Sequence, residues 1–273
     1  MNERPRIPEL AEIKERQQRA WASGDYAVFG AALLVMGELL CEAVDLRPGQ
    51  KVLDVATGSG NTALAAARRS CEATGIDYVP ALLERGRERA AVERLEVVFQ
   101  EGDAENIPFP DASFDVVLST VGVMFAPNQE KAADELLRVC RPGGTVGLAY
   151  WTPDSFAGEM SGVFGRYVPP PPGLEPPVLW GTEERVRELL GGGIAGLRTA
   201  RRSFVFRYRS VRHYLEVLQT HLGPTRQAFQ TLGSTERENL AGDLVDLVGR
   251  FNRSGDETMI VPSDYLEVVA IRR

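Results

Sequence analysis

Residues 52–61 read VLDVATGSGN: a short apolar run broken by one acid, Asp54, then a turn carrying two glycines, then Asn61 opening an amphipathic stretch. Such a run, bounded by glycine and rich in valine, predicts a strand buried on both faces. A buried strand that feeds a glycine turn and a helix is the opening unit of a parallel α/β sheet. Gly58 and Gly60 let the backbone approach a ligand, and the helix amino end behind them favours an anionic group. A dinucleotide-binding turn adds a third glycine for close helix–strand packing. In this chain Leu64, Ala65 and Ala66 follow instead, which weighs against a nucleotide-dependent oxidoreductase.

Outward from this unit, apolar runs alternate with amphipathic stretches: KVLDVA, a helix from Asn61, EATGID, a helix from Pro80, LEVVFQ, FDVVLS, a helix from Asn128, and GGTVGLAYW. Strand–helix alternation predicts an α/β fold with helices on both faces of the sheet. Further on, VPPPPGLEPP (168–177) predicts a stiff extended connection, and Thr182 caps a short helix that Gly191–Gly193 end. RRSFVFRYRS alternates as a strand, 210–253 predicts two or three helices, and YLEVVAIRR predicts a last strand. The expected organisation is a helical lid over 1–46, a core over 47–151, a linker, helix and sixth strand over 152–209, a helical cap insertion over 210–256, and a final strand over 257–273. The fold class is a seven-stranded, mostly parallel, doubly wound (Rossmann-like) sheet with a helical cap.

Acids outnumber bases by 38 to 31 in 273 residues, so the overall field disfavours nucleic acid and anionic lipid as partners. The uncharged run Tyr26–Gly37 falls short of the roughly 20 residues of a membrane span, and no span is expected. MNERPRIPEL lacks the apolar segment of an export signal, and three unclustered cysteines, Cys41, Cys71 and Cys140, suit a reducing cytoplasm. An exposed apolar face on Ala27–Val44 would point to a homodimer. No His, Cys, Asp and Glu set has metal-ligand spacing, so no metal is expected.

Three acids mark the strand ends: Asp54 within the first, Asp77 closing the second, and Asp103 just past the third. In a parallel sheet these positions border the crevice where ligands bind. Three carboxylates there suit an ammonium, a ribose diol or an adenine amino group better than a diphosphate. S-adenosylmethionine carries all three groups. From Lys51 to Trp151 the chain resembles the class I S-adenosylmethionine-dependent methyltransferases, and among them the ubiquinone and menaquinone biosynthesis type and its small-molecule relatives. VLDVATGSGN, GIDYVPALLERG, GDAENIPFPDASFDVVLS and LLRVCRPGG carry the resemblance.

The resemblance implies that Gly58, Gly60 and the backbone near Ala56 hold the methionine moiety, with Asp54 orienting the turn. It implies that Asp77 accepts from the ribose hydroxyls, Tyr78 covers the adenine, Asp103 accepts from its amino group, Ala104 donates to the ring, and Thr120 lies near the sulfonium. The acceptor is expected to be a largely apolar small molecule, a specialised metabolite or quinone-like precursor. Trp21 and Tyr26 of the lid, with Phe125 and Trp151 past the strand ends, are candidates to touch it, and Val121, Met124 and Tyr150 are further wall candidates. STVGVMFAP after the fourth strand lacks the Asp/Asn-Pro-Pro-aromatic signature of nucleic-acid amino methyltransferases. Of the two histidines, His213 is expected to face solvent, and His221, at a helix end, is the candidate general base. A cofactor-binding protein without methyl transfer is the remaining alternative.

Overall fold

The computed structural model describes residues 9–273; the first eight residues of the expected lid lie outside the described residues. Five parallel strands, β1 (Lys51–Val55), β2 (Glu72–Asp77), β3 (Val97–Glu101), β4 (Phe114–Thr120) and β5 (Cys140–Trp151), are extended by β6 (Ile194–Tyr208) and β7 (Met259–Arg272) in the order β3-β2-β1-β4-β5-β7-β6. β7 runs antiparallel to both of its neighbours. The direction in which strands are added reverses at β1, so the crevice beyond the carboxyl ends of β1 and β4 is where this architecture places a ligand. The apolar reading of the first strand follows from this central position: Val52, Leu53 and Val55 are fully buried.

Eleven α-helices accompany the strands among the described residues. In chain order they are α1 (Leu10–Ala22), α2 (Tyr26–Gly30), α3 (Leu34–Ala43), α4 (Asn61–Arg68), α5 (Pro80–Glu93), α6 (Gln129–Val139), α7 (Phe156–Tyr167), α8 (Glu183–Leu190), α9 (Val211–His221), α10 (Gly223–Thr231) and α11 (Ser234–Phe251). The side chains of Asn128 and Thr182 accept from the backbone N–H groups of Lys131 and Arg185, which fixes where α6 and α8 start. α7 departs from the expectation of a linker after residue 151. It carries glycines at 158, 162 and 165, yet Ser155 caps it, and Gly158 is required because a Cβ would come 2.2 Å from the carbonyl oxygen of Thr152.

The last two strands are longer than their sequences suggest. β6 begins at Ile194, ahead of the alternating run from Arg201, and β7 runs from Met259, ahead of YLEVVAIRR but inside the span 257–273 expected for the last strand. Pro262 reads as a strand breaker, but β5 pairs with β7 only as far as Tyr265, so at Pro262 the strand has a neighbour on one side alone and needs one fewer donor.

The segment Tyr26–Ala43 has a mean hydropathy of 1.6 and is long and apolar enough to span a bilayer by composition. It is broken by a 3₁₀ turn at Ala31–Leu33, and Met36, Leu40 and Cys41 are buried in the main core. Glu38 is paired with Arg68 at 2.5 Å and Arg69 at 2.6 Å. Val28, Val35 and Leu39 remain exposed on its outer face.

Candidate functional site

A cleft opens over the carboxyl ends of β1, β2 and β4 and the loop after β3. Its walls include Asp54, Ala56, Thr57 and Gly58 from the first turn, Asp77 and Tyr78, the run Gly102–Glu105, and Thr120–Val123. α1 and α2 close it from the other side through Lys14, Gln17, Trp21 and Tyr26.

The glycine turn is built around two buried carboxylates. Asp54 Oδ2 accepts from Thr57 Oγ1 at 2.5 Å and from the Ala63 N–H at 3.0 Å, tying the turn to the first turn of α4. Asp77 Oδ2 accepts from the Gly58 N–H and Oδ1 from the Val79 N–H, each at 2.9 Å. Gly58 holds φ +56° and Gly60 φ +86°, a region where side chains other than Gly are strained. Burial pushes the Asp54 carboxyl up to about 7 and the Asp77 carboxyl up to about 6, against the pull of these hydrogen bonds. A carboxylate has about four lone-pair positions, so Asp77, engaged by the backbone at Gly58, Val79 and Tyr78, still has acceptor capacity for a ligand.

Beyond β3, Asp103 Oδ1 accepts from the Glu105 N–H at 2.9 Å, while Oδ2 lies 2.6 Å from Lys14 Nζ. The same ammonium is 2.6 Å from Glu105 Oε2, and Glu105 Oε1 accepts from the Asn128 N–H at 2.8 Å. Burial works against the charge on Lys14, but the two carboxylates outweigh it and hold the ammonium above its usual pKa. Thr62 donates to Thr120 Oγ1 at 2.9 Å, joining α4 to the end of β4.

Aromatic side chains from α1, α2 and the loop after β4 also line the cleft. The Trp21 ring meets Tyr26 edge-on with 5.7 Å between centroids and Phe125 with 5.3 Å. A Cβ on Gly58 would lie 3.3 Å from Tyr26 Cε1, so that ring rests over the glycine turn. Burial and the charge of Asp77 push the Tyr26 phenol up to about 12, so it stays a neutral hydrogen-bonding group.

The cleft thus gathers Asp54, Ala56, Gly58, Asp77, Tyr78, Asp103, Ala104, Thr120, Trp21, Tyr26 and Phe125, together with Val121. Five other candidates stand apart from its walls. Gly60 caps α4 instead, where a Cβ would come 2.7 Å from Phe99 Cζ. Trp151, like Met124 and Tyr150, is buried in the core; it packs against Phe204, Phe206 and Tyr265. His221 ends α9 beneath the turn between α1 and α2, where its carbonyl oxygen abuts Gly24 so closely that a Cβ there would sit 2.3 Å away. His213 differs from the solvent-facing expectation: its ring lies 5.7 Å from Tyr208, and Nδ1 is buried without a partner.

Sequence reasoning missed Lys14, Gln17, Thr57 and Glu105. The spacing of 14, 17 and 21 along one helix face was the available signal, hidden because a polar face ordinarily looks outward.

Residues 53–148 match a family described as a methyltransferase domain. The chain is 39% identical over 258 residues to the uncharacterised protein Rv1405c of Mycobacterium tuberculosis, with 93% of each chain covered. It is 35% identical over 170 residues to the demethylmenaquinone methyltransferase of Thermus thermophilus, covering 62% of this chain and 70% of that one. Its fold is shared with phosphoethanolamine N-methyltransferase 2 of Haemonchus contortus, solved in complex with phosphomonomethylethanolamine and S-adenosylhomocysteine. That likeness has a TM-score of 0.59 at 17% identity, over 98% of this chain and 61% of the other. The cleft fits the donor of such enzymes: free lone pairs on Asp77 suit hydroxyl donors, and the close approach allowed at Gly58 leaves room for backbone contact. The chain belongs to the class I S-adenosylmethionine-dependent methyltransferases, with S-adenosylmethionine as its cofactor.

Proposed function

We propose that the protein moves the donor's methyl group to oxygen, nitrogen or carbon of a largely apolar small molecule, a specialised metabolite or quinone-like precursor. The observation that carries this reading is the aromatic cluster of Trp21, Tyr26 and Phe125, lining the same cleft as the carboxylates together with Leu33, Val121 and Val123. Such a lining offers carboxylates to the polar donor and aromatic surface to a flat apolar acceptor. With four carboxylates and one lysine along the walls, a polyanionic nucleic acid is a poor fit.

When bound, S-adenosylmethionine supplies a methyl group on a positively charged sulfur, open to in-line displacement. The residues of the chain hold the partners in place. Asp77 accepts from the ribose hydroxyls, Asp103 from the adenine amino group, and the Ala104 N–H donates to the ring, while Tyr78 covers the base. Gly58 and the backbone at Ala56 seat the amino-acid end, which Asp54 serves by fixing the turn. Thr120 stands where β4 opens towards the acceptor. Aligning nucleophile and methyl at about 3 to 3.5 Å supplies several kcal/mol of the rate enhancement on its own. Neither histidine is among the cleft-lining residues, which weighs against His221 as the base and favours an acceptor that brings an already reactive nucleophile, such as an electron-rich carbon, a neutral amine or an ionised phenol. α1 and α2 act as the lid, and the three free, buried cysteines fit a reducing cytoplasm.

Methyl-labelled donor offered with panels of planar phenols and quinols, short polar amines, and RNA tests the reading. Label should pass to the planar apolar panel. Trp21→Ala and Phe125→Ala should raise the acceptor KM at least tenfold and leave S-adenosylhomocysteine affinity within about threefold. Transfer to RNA or to short polar amines alone would overturn the acceptor class.

A further inference from the structure

The polar face of α1 is turned inward. Lys14, Gln17, Gln18 and Trp21 follow helical spacing, and each reaches the cleft or its rim. Lys14 bridges Asp103 and Glu105 after β3, Gln17 Nε2 donates to the Phe125 carbonyl oxygen after β4 at 3.2 Å, and Gln18 Nε2 donates to the Tyr78 carbonyl oxygen after β2. Residues at i, i+3 and i+4 share one helix face, so a single face of α1 ties three successive strand ends together.

The two ends of α1 are held differently. At its carboxyl end the Ser23 hydroxyl reaches the Gly223 carbonyl oxygen at 3.3 Å, and Arg226 donates to the Ser23 carbonyl oxygen at 2.6 Å. Gly24 and Gly223 pack backbone to backbone against His221 and Ala20. Towards its amino end the contacts include Ile13, which is buried, and the Lys14 bridge to Asp103 and Glu105. The carboxyl end is therefore a pinned pivot and the amino end a latch.

We propose that Lys14 is a positioning residue that latches α1 across the cleft, so that the donor enters and its demethylated product leaves only when the Lys14 bridge opens. The inference rests on the cofactor reading of the cleft. Asp103, the carboxylate given there to the adenine amino group, has one oxygen on Lys14 and the other on the Glu105 N–H. One lone pair per oxygen is left, so nucleobase and latch share a single carboxylate and each holds it in place for the other. Glu105, buried and fixed by the Asn128 N–H, gives Lys14 a second anchor that no ligand has to displace.

Stopped-flow release of S-adenosylhomocysteine from the full chain tests this. Lys14→Ala should accelerate release at least tenfold, and Lys14→Arg, which keeps the charge, should return it to within about threefold. Release from the unaltered protein should quicken with added salt, and that dependence should flatten in Lys14→Ala. Release within twofold of the unaltered protein in Lys14→Ala, with Asp77→Asn still weakening binding, would sink the latch and leave the site reading intact. Unchanged binding in Asp77→Asn as well would overturn both. Should Lys14→Ala fold poorly, Glu105→Gln, which keeps an acceptor for the Asn128 N–H but removes the second charge on Lys14, must speed release in its place, and no change there refutes the latch.

Discussion

Asp77→Asn separates the structural duty of this side chain from its proposed duty to a ligand. Asp77 is 5% exposed, and each of its oxygens accepts one backbone N–H, from Gly58 and from Val79. An asparagine keeps one of these acceptors and presents its amide hydrogens to the other donor. A buried donor left without a partner costs about 1–3 kcal/mol. Against that stands a gain. Burial raises the carboxyl from 3.8 to about 6, and at about 1.4 kcal/mol per pH unit the native state carries on the order of 3 kcal/mol for keeping it charged at neutral pH. The amide escapes that cost. The two changes nearly offset, so the ligand-free variant should melt close to the unaltered protein. Affinity should behave otherwise. A hydrogen bond to a charged acceptor contributes about 1.5–3 kcal/mol, and its loss lowers S-adenosylhomocysteine affinity roughly 10- to 150-fold at about 1.4 kcal/mol per factor of ten. Titration calorimetry at pH 7.5, alongside a melting curve, reads both quantities. Affinity within twofold at an unchanged melting temperature would refute the role given to Asp77. A collapse in melting temperature would refute the offsetting energies.

Two further outcomes follow from the glycine turn. Gly60→Ala places a Cβ 2.7 Å from Phe99 Cζ at φ +86°, and should lower stability by about 1–3 kcal/mol in urea unfolding; a loss below about 0.5 kcal/mol would show that the turn yields easily. Asp54 has a folded-state pKa of about 7 against 3.8 for the free group, so its contribution is complete at low pH and is lost as pH rises from about 4 through 7. Stability relative to Asp54→Asn, followed by urea titration, should therefore fall across that window by on the order of 4 kcal/mol at about 1.4 kcal/mol per pH unit. A flat or rising difference would contradict the burial assigned to this carboxyl.

The parts legible from sequence are those that parallel-sheet geometry makes local. A strand in such a sheet ends at the ligand edge, so an acid closing a strand, as Asp77 does, marks the cleft without any knowledge of what packs across it. Asp54 and Asp103 could be placed by the same reasoning. Thr120 and Phe125 follow from the end of β4. What stayed hidden depends on contacts between distant segments. Lys14 and Glu105 are 91 positions apart, and a lysine on a charged helix reads as solvated because its partners are absent from the local pattern. Trp151 ends β5, which suggests the cleft, but β7 and β6 run on beyond β5 and place Phe204, Phe206 and Tyr265 where a ligand wall was expected. An antiparallel addition to the sheet thus turns an edge position into a core position.

The histidines show the same limit on a smaller scale. The apolar stripe of α9 is a property of one helix and predicts which residues it buries: Tyr214, Leu215 and Leu218 are buried as the spacing requires. It says nothing of what meets the helix end. There Gly24 comes in with no side chain, and its backbone occupies the space beside the His221 carbonyl. With Gly24 and Gly223 both bare, the turn after α1 and the start of α10 approach closely enough for Arg226 to reach the Ser23 carbonyl oxygen. The helix end that reads as a place for a catalytic histidine packs against the turn after α1 and, in the proposed latch, serves as its pivot. A bulkier residue at either glycine would push α1 off its seat and slacken the Lys14 bridge at the far end, although neither glycine touches the cleft.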